Sequence, residues 1–332
     1  MAPPLPAPSP ARAAWPVVAA VVAILVFPAF GGRFALDLAT TIIVAAIFAL
    51  SLALLVGEAG LVSFGHAAFL GIGAYATVLL APKTGAPSLL WLAPAVVLVT
   101  AACALVIGAL AIRTRGVYFI MVTLAFSQMA YYVFHDTGIG GGSDGVYLDV
   151  KPTLPFVASV NDARTFYYVA AGCLVATFLL LAAIKRARFG HALAGIRINE
   201  ARMRAAGFST YAFKLAAFTL AGALAGVAGL LWAIKDGFVN PELLAWHQSG
   251  AVLLMLIIGG LGSLRGAVVG ALAFILMKEA FQTEALFGAF ARHWQLPLGV
   301  AIIALVATMP RGLMGLAAAP SWRRRARERA AA

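Results

Sequence analysis

Two small sets of polar side chains stand inside otherwise apolar stretches of this chain, and they are where it could engage a solute. Ser63 and His66 fall at i, i+3, so a helix would put them on one face. Thr123, Ser127 and Tyr131 repeat every fourth residue, with Gln128 alongside. Hydroxyl, imidazole and carboxamide groups can hydrogen-bond a passing zwitterion. The sequence shows no clustered acid/base pair or ligand spacing, so these sets point to passage and not to catalysis or metal binding. For Ser63 and His66 the competing account is helix–helix glue, with the imidazole bonded to a neighbouring carbonyl. For Thr123 and Ser127 it is a local bond to the carbonyl one turn back, an account that fits Gln128 less well. Both readings stay open at this level.

A third set is charged. Arg197, Glu200 and Arg204 fall at i, i+3 and i+7, one stripe of a helix. Ile198, Ala201, Ala205 and Phe208 form an adjoining stripe, and Gly207 can end the helix. Such a helix could lie on anionic lipid. Small residues beside charges suit a protein groove better, since interfacial lipid binders carry bulky Leu, Phe or Trp.

The surrounding chain fixes what can hold these groups in place. Of its 332 residues, 63% are hydrophobic and only 11% charged, with mean hydropathy +0.97. Soluble domains carry roughly 25% charged residues. The fold expected is all-α: a polytopic transmembrane helix bundle of about ten spans. Candidates of near-spanning length are 14–30, 36–56, 61–80, 89–112, 116–134, 166–184, 213–234, 249–262, 266–281 and 295–310. One or two are expected to be broken or re-entrant, namely the Gly- and Ser-rich 61–80 and the short 249–262, which ends in Gly259, Gly260 and Gly262. Irregular backbone at membrane depth is tolerated only where protein or water covers it. The domain reading is a disordered Pro/Ala tail over 1–13, a membrane domain over 14–315 with a loop at 185–213, and a basic tail over 316–332. The apolar run from Trp15 is read as a retained helix, not a signal peptide.

Charge sets the orientation. With the N-terminus inside, most of the 24 Lys and Arg fall on the cytoplasmic side, including the island Lys185–Lys214 and the run Arg323–Arg329. Both termini are therefore expected in the cytoplasm. The net charge of +12 lies between and after apolar spans, not on one soluble face, so nucleic acid is excluded as a partner. Cys103 and Cys173 form no CxxC, and the five His are scattered. The Gly-rich run Gly138–Gly145 lies in an outside loop, either a linker or a contact surface. Gly222 with Gly226, and Gly266 with Gly270, read as close-packing motifs.

Several stretches resemble one family. Glu200-Ala201 with Ala205-Ala206-Gly207 resembles the EAA loop of ABC importer permeases. GLVSFGHAAFLGIGAYATVLL (60–80), RGVYFIMVTLAFSQM (115–129), TGIGGGSDGV (137–146) and IIGGLGSLRGAVVGA (257–271) resemble branched-chain amino-acid permeases of the LivM type, in the same order. The resemblance implies a transport subunit with no ATPase site of its own, and no GxxxxGK[ST] occurs. ATP and Mg would be bound by two cytosolic ATPase subunits, and this chain would hold no cofactor. A second permease subunit and a periplasmic substrate-binding protein would complete the complex, in the bacterial inner membrane among its lipid. Coupling to the ATPase would then fall to Arg197, Glu200, Ala201, Arg204, Ala205 and Gly207. The translocation path would fall to Ser63, His66, Thr123, Ser127 and Gln128. The cargo implied is a branched-chain or hydrophobic amino acid; related permeases serve urea and small aromatic or organic acids. A secondary transporter driven by an ion gradient would need carboxylates within the spans, whereas Asp37, Glu58 and Glu279 sit at or near span ends.

Overall fold

The fold is a helical bundle built on two long, mostly buried helices. A computed structural model describes residues 27–28, 32–82, 87–153, 162–309 and 312–315. Helix α1, Arg33–Ala53, continues as a π-helical segment, Leu54–Ala59. After a non-helical stretch come α2, His66–Leu80; α3, Leu89–Ala111; and α4, Val117–Asp136. Helix α5 is Ala163–Arg186, followed by the short α6, Arg188–Ile198, and α7, Glu200–Ala205. Then come α8, Thr210–Asp236; α9, Trp246–Gly259; α10, Leu264–Gln282; the single turn α11, Glu284–Phe287; and α12, Gln295–Thr308. The strands β1, Val146–Tyr147, and β2, Phe238–Val239, pair antiparallel.

Helix α8 has 27 residues, about 40 Å at 1.5 Å per residue, enough to cross a bilayer with a turn to spare at each end. It packs along α2 and α3, while α1 lies against α5, α8 and α10. Small residues make this possible. A Cβ at Gly222 would come 2.4 Å from the Ala104 Cβ, and one at Gly226 would come 2.3 Å from the Thr100 hydroxyl. Without a hydrophobic drive between helices in lipid, such close approach is what holds them.

Several ion pairs cluster at the two ends. Lys185 pairs with Glu58 at 2.5 Å, and Lys214 with Glu200 at 2.7 Å. These groups, with Arg197 and Arg204, mark a basic end. At the opposite end Lys235 pairs with Asp37 at 3.1 Å.

Among the described residues, six helices are long and apolar enough to cross a membrane, or seven if the bent pair α9–α10 counts as one span. The expected ten are not reached among the described residues, for physical reasons. Most of 14–30, like the tails 1–13 and 316–332, lies outside the described residues. In 61–80 only His66–Leu80 is helical, 15 residues or about 22 Å, short of a roughly 30 Å core. Segments 249–262 and 266–281 form a V bent by 115°. Its apex is glycine because backbones meet there: a Cβ at Gly259 would come 1.8 Å from the Gly266 carbonyl oxygen, and one at Gly270 would come 1.9 Å from that of Met255. Ser263 caps α10 by accepting the Gly266 N–H at 3.1 Å. Breaks thus fall in both segments whose composition signalled them.

Candidate functional site

The first site is the broken crossing at 60–66. Gly60, at φ +70°, turns the chain at the basic end, and Leu61 to Gly65 run non-helically into the bundle. Helix α2 therefore begins deep inside it. His66 stands level with Ser51 of α1, whose hydroxyl lies 2.8 Å from Nε2. The first N–H groups of a helix have no partner within it, and here side chains from other helices serve. Thr123 Oγ1 on α4 accepts the Phe64 N–H at 3.2 Å, and Ser249 Oγ on α9 accepts that of Ala67 at 2.8 Å. Ser63 Oγ accepts the Gly65 N–H at 3.2 Å. Gly65 is obligatory, since a Cβ there would come 2.2 Å from the Thr123 carbonyl oxygen.

His66 is fully buried, stacked on Phe48 with ring centroids 5.4 Å apart and meeting Phe69 edge-on at 6.0 Å. Ser51 has one hydroxyl proton, which it donates to the Phe48 carbonyl at 2.7 Å. That leaves Nε2 of His66 as the protonated nitrogen and Nδ1 as an acceptor, and Nδ1 has no partner. Ser127 is also buried and donates to the Leu244 carbonyl at 2.8 Å. Gln128 is half-buried, with its Nε2 unpartnered.

Ser63, His66 and Thr123 are thus brought together around one helix break, while Ser127, one turn along α4 from Thr123, bonds the Leu244 carbonyl instead. Ser51, the partner of His66, and Ser249, the partner of the Ala67 N–H, escaped the sequence reading. Each is a lone serine in an apolar helix, the one available signal. Ser249→Ala is expected to leave the Ala67 N–H unpaired in a dry interior, at a cost of about 1–3 kcal/mol, read as a lowered unfolding midpoint in detergent.

The second site is at the basic end. The expected single helix over 197–208 is in fact two. Asn199, at φ −154° and ψ 96°, ends α6 and caps α7, accepting the Arg202 N–H at 2.9 Å. An Asn side chain competes with helical bonding in this way. Arg197 therefore leaves the stripe of Glu200 and Arg204. Its guanidinium donates to the Gly57 carbonyl in the π-helical end of α1, and its side chain covers Gly60. Lys185 ties Glu58 to the V, also donating to the Gly262 carbonyl at 3.0 Å.

Glu200 is the hub of α7. Its carboxylate accepts from Lys214 Nζ at 2.7 Å and from Thr210 Oγ1 at 3.1 Å, both on α8, and pairs with Arg204 at 3.3 Å. Burial alone would raise its pKa. The Lys214 hydrogen bond and charge, the Thr210 hydrogen bond and the Arg115 charge outweigh that, and the carboxyl sits below the usual glutamate range. Gly207, at φ +88°, closes α7, with the Phe208 N–H reaching the Met203 carbonyl at 3.1 Å. Ala201, Ala205 and Phe208 are exposed, and Ile198 is 82% exposed. The result is an anchored, positively charged loop with small and apolar groups on its exposed face.

Residues 34–308 match the family model described as the branched-chain amino acid transport system / permease component. The chain is 30% identical over 321 residues to the high-affinity branched-chain amino acid transport system permease protein LivM of Escherichia coli (strain K12), covering 90% of this chain and 74% of that protein. The same identity and coverage hold for the protein of that name from Salmonella typhimurium (strain LT2). No solved structure matches.

Proposed function

This chain belongs to the family of branched-chain amino acid transport permease components, and from that premise we propose how it works. It is the permease subunit of an ABC importer for branched-chain amino acids. The observation that carries the reading is the family match across nearly the whole membrane domain. A second permease subunit forms the pore with it, two ATPase subunits dock on the basic end, and a binding protein delivers cargo to the opposite end. The basic end faces the cytoplasm of a bacterial inner membrane, as its charge favours, and both termini lie there. Counting 61–80 as one crossing, α9 and α10 as two and 14–30 as a further span recovers about ten.

In the mechanism, closure of the ATPases moves α6–α7. Ile198, Ala201, Ala205 and Phe208 present the docking face, and Glu200 passes the motion to α8. Arg197 passes it to the π-helical end of α1. That end leads through Gly60 into the extended run that sets His66, so the pull reaches the midplane break. Ser51, Ser63, His66, Thr123 and Ser249 hold that break in this conformation, with Ser127 a turn further along α4. Opening it would offer the free Nδ1 of His66 and the Gln128 carboxamide to the cargo. Cargo shifts the equilibrium only through unequal affinity for the two states.

The test is reconstitution of both permease chains with their ATPases in liposomes, supplied with leucine-loaded binding protein. Uptake is expected to require ATP inside and to survive a protonophore. Uptake that persists without ATP and collapses with the proton gradient would refute the assignment.

A further inference from the structure

The segment after α8 does not stay outside the bundle. From Gly237 it runs inward, so that a Cβ at Gly71 would come 2.3 Å from Leu244 Cγ, and the Leu244 carbonyl accepts from Ser127. Gly71 lies between Phe69 and Gly73, which pack at Gly222 and Gly226 respectively. Those two positions fall midway along α8, between Lys214 at one end and Lys235 at the other. Leu244 is therefore near the middle of the hydrophobic thickness. Glu242 lies two residues earlier, in the 3-10 turn Pro241–Leu244, toward Tyr131 in the outer part of α4, and His247 lies in the first turn of α9, ahead of Ser249.

At this depth Glu242 Oε2 and His247 Nε2 are 3.6 Å apart, and their side chains are still 59% and 50% exposed. Tyr131 lies within electrostatic reach of the carboxylate. Trp246, 54% exposed, meets His247 edge-on at 6.4 Å between ring centroids. An exposed carboxylate cannot face acyl chains inside the hydrophobic thickness without a large solvation penalty. This surface must border water, a polar ligand or polar groups of the second permease subunit. A carboxylate and an exposed indole that both neighbour His247 match a solute with an ammonium group and an apolar side chain.

We propose that Glu242 and Trp246 form a cargo contact on the wall of the translocation path, the carboxylate receiving the α-ammonium of an apolar amino acid and the indole its side chain. His247 positions the carboxylate. The proposal rests on the importer reading given above.

The experiment uses the full complex in liposomes. A Glu242→Cys variant, made with Cys103→Ala and Cys173→Ala, is treated with a charged, membrane-impermeant methanethiosulfonate. Labelling is expected, and turnover with leucine-loaded binding protein is expected to slow it. In a second arm Glu242→Gln is expected to import leucine about tenfold more slowly, the equivalent of one hydrogen bond to a charged group, with the complex intact by size exclusion. A position the reagent cannot reach, a Glu242→Gln complex importing at the wild-type rate, or one that fails to assemble would each overturn the proposal. The last outcome would make the pair a subunit-interface contact. If the wild-type complex shows no ATP-driven leucine uptake, the importer reading itself falls, which keeps the two failures apart.

Discussion

Replacing Gly229 by valine is expected to keep the protein from folding. A Cβ at this position would lie 2.0 Å from the Leu70 carbonyl oxygen and 2.8 Å from the Ala74 nitrogen. Both are backbone atoms of α2, so no side-chain rotation relieves the clash. The two helices would have to part along an interface that is tight elsewhere as well: a Cβ at Gly73 would come 2.6 Å from the Gly226 Cα. Overpacking costs typically about 1–3 kcal/mol where neighbours can adjust, and here the adjustment would displace the helix that begins at His66. Yield of monodisperse protein in detergent is the measure, with near-complete loss expected. Gly172→Ala is the control. It sits on α5 with nothing within 4 Å of a built Cβ, and alanine is the better helix former by about 1 kcal/mol. Its unfolding midpoint should be unchanged or slightly raised. Normal folding of Gly229→Val would mean α2 and α8 are not packed as described.

Gly229 also shows where sequence reading stopped. Gly222 and Gly226 announce a packing face by their spacing, and Gly229 extends it by one more turn, but which helix meets that face is a long-range fact. Composition located the breaks in 61–80 and 249–262, because glycine and serine in an apolar run signal backbone that leaves the helix. It could not supply the partners that make a break affordable, since Thr123 is far in the chain from Phe64, and Ser249 from Ala67. The basic island was legible from charge, and so was Glu200 within it. Its division at Asn199 was not, because an i, i+3, i+7 pattern runs through a cap as readily as through a helix. Glu242 was hidden for a different reason. It lies between two apolar segments and reads as loop, and only the descent of residues 237–245 into the bundle brings it to membrane depth.

Glu200→Lys should cut leucine uptake sharply while ATP hydrolysis by the docked subunits continues. The carboxylate joins α7 to α8 through Lys214 and Thr210 and braces Arg204. Reversing its charge would set a lysine against Lys214 and Arg204, with Arg115 nearby, and like charges at this range repel. The docking face could still be held by the motor, but its movement would no longer be delivered to α8. A fall in uptake of at least about tenfold, one 1.4 kcal/mol step in coupling, is expected, with the membrane-inserted amount unchanged. The depressed pKa fixes the pH behaviour. A carboxylate whose folded pKa lies below its unfolded value contributes fully above the unfolded value and loses the contribution as pH falls through the folded one. Coupling in the wild type should therefore persist through mild acidification and fail only below the usual glutamate range. Glu200→Gln, which keeps the shape and loses the charge, should be impaired at every pH. If Glu200→Lys imports at the wild-type rate, α7 is not the transmission element, and the motion must enter through Arg197 and the end of α1 alone.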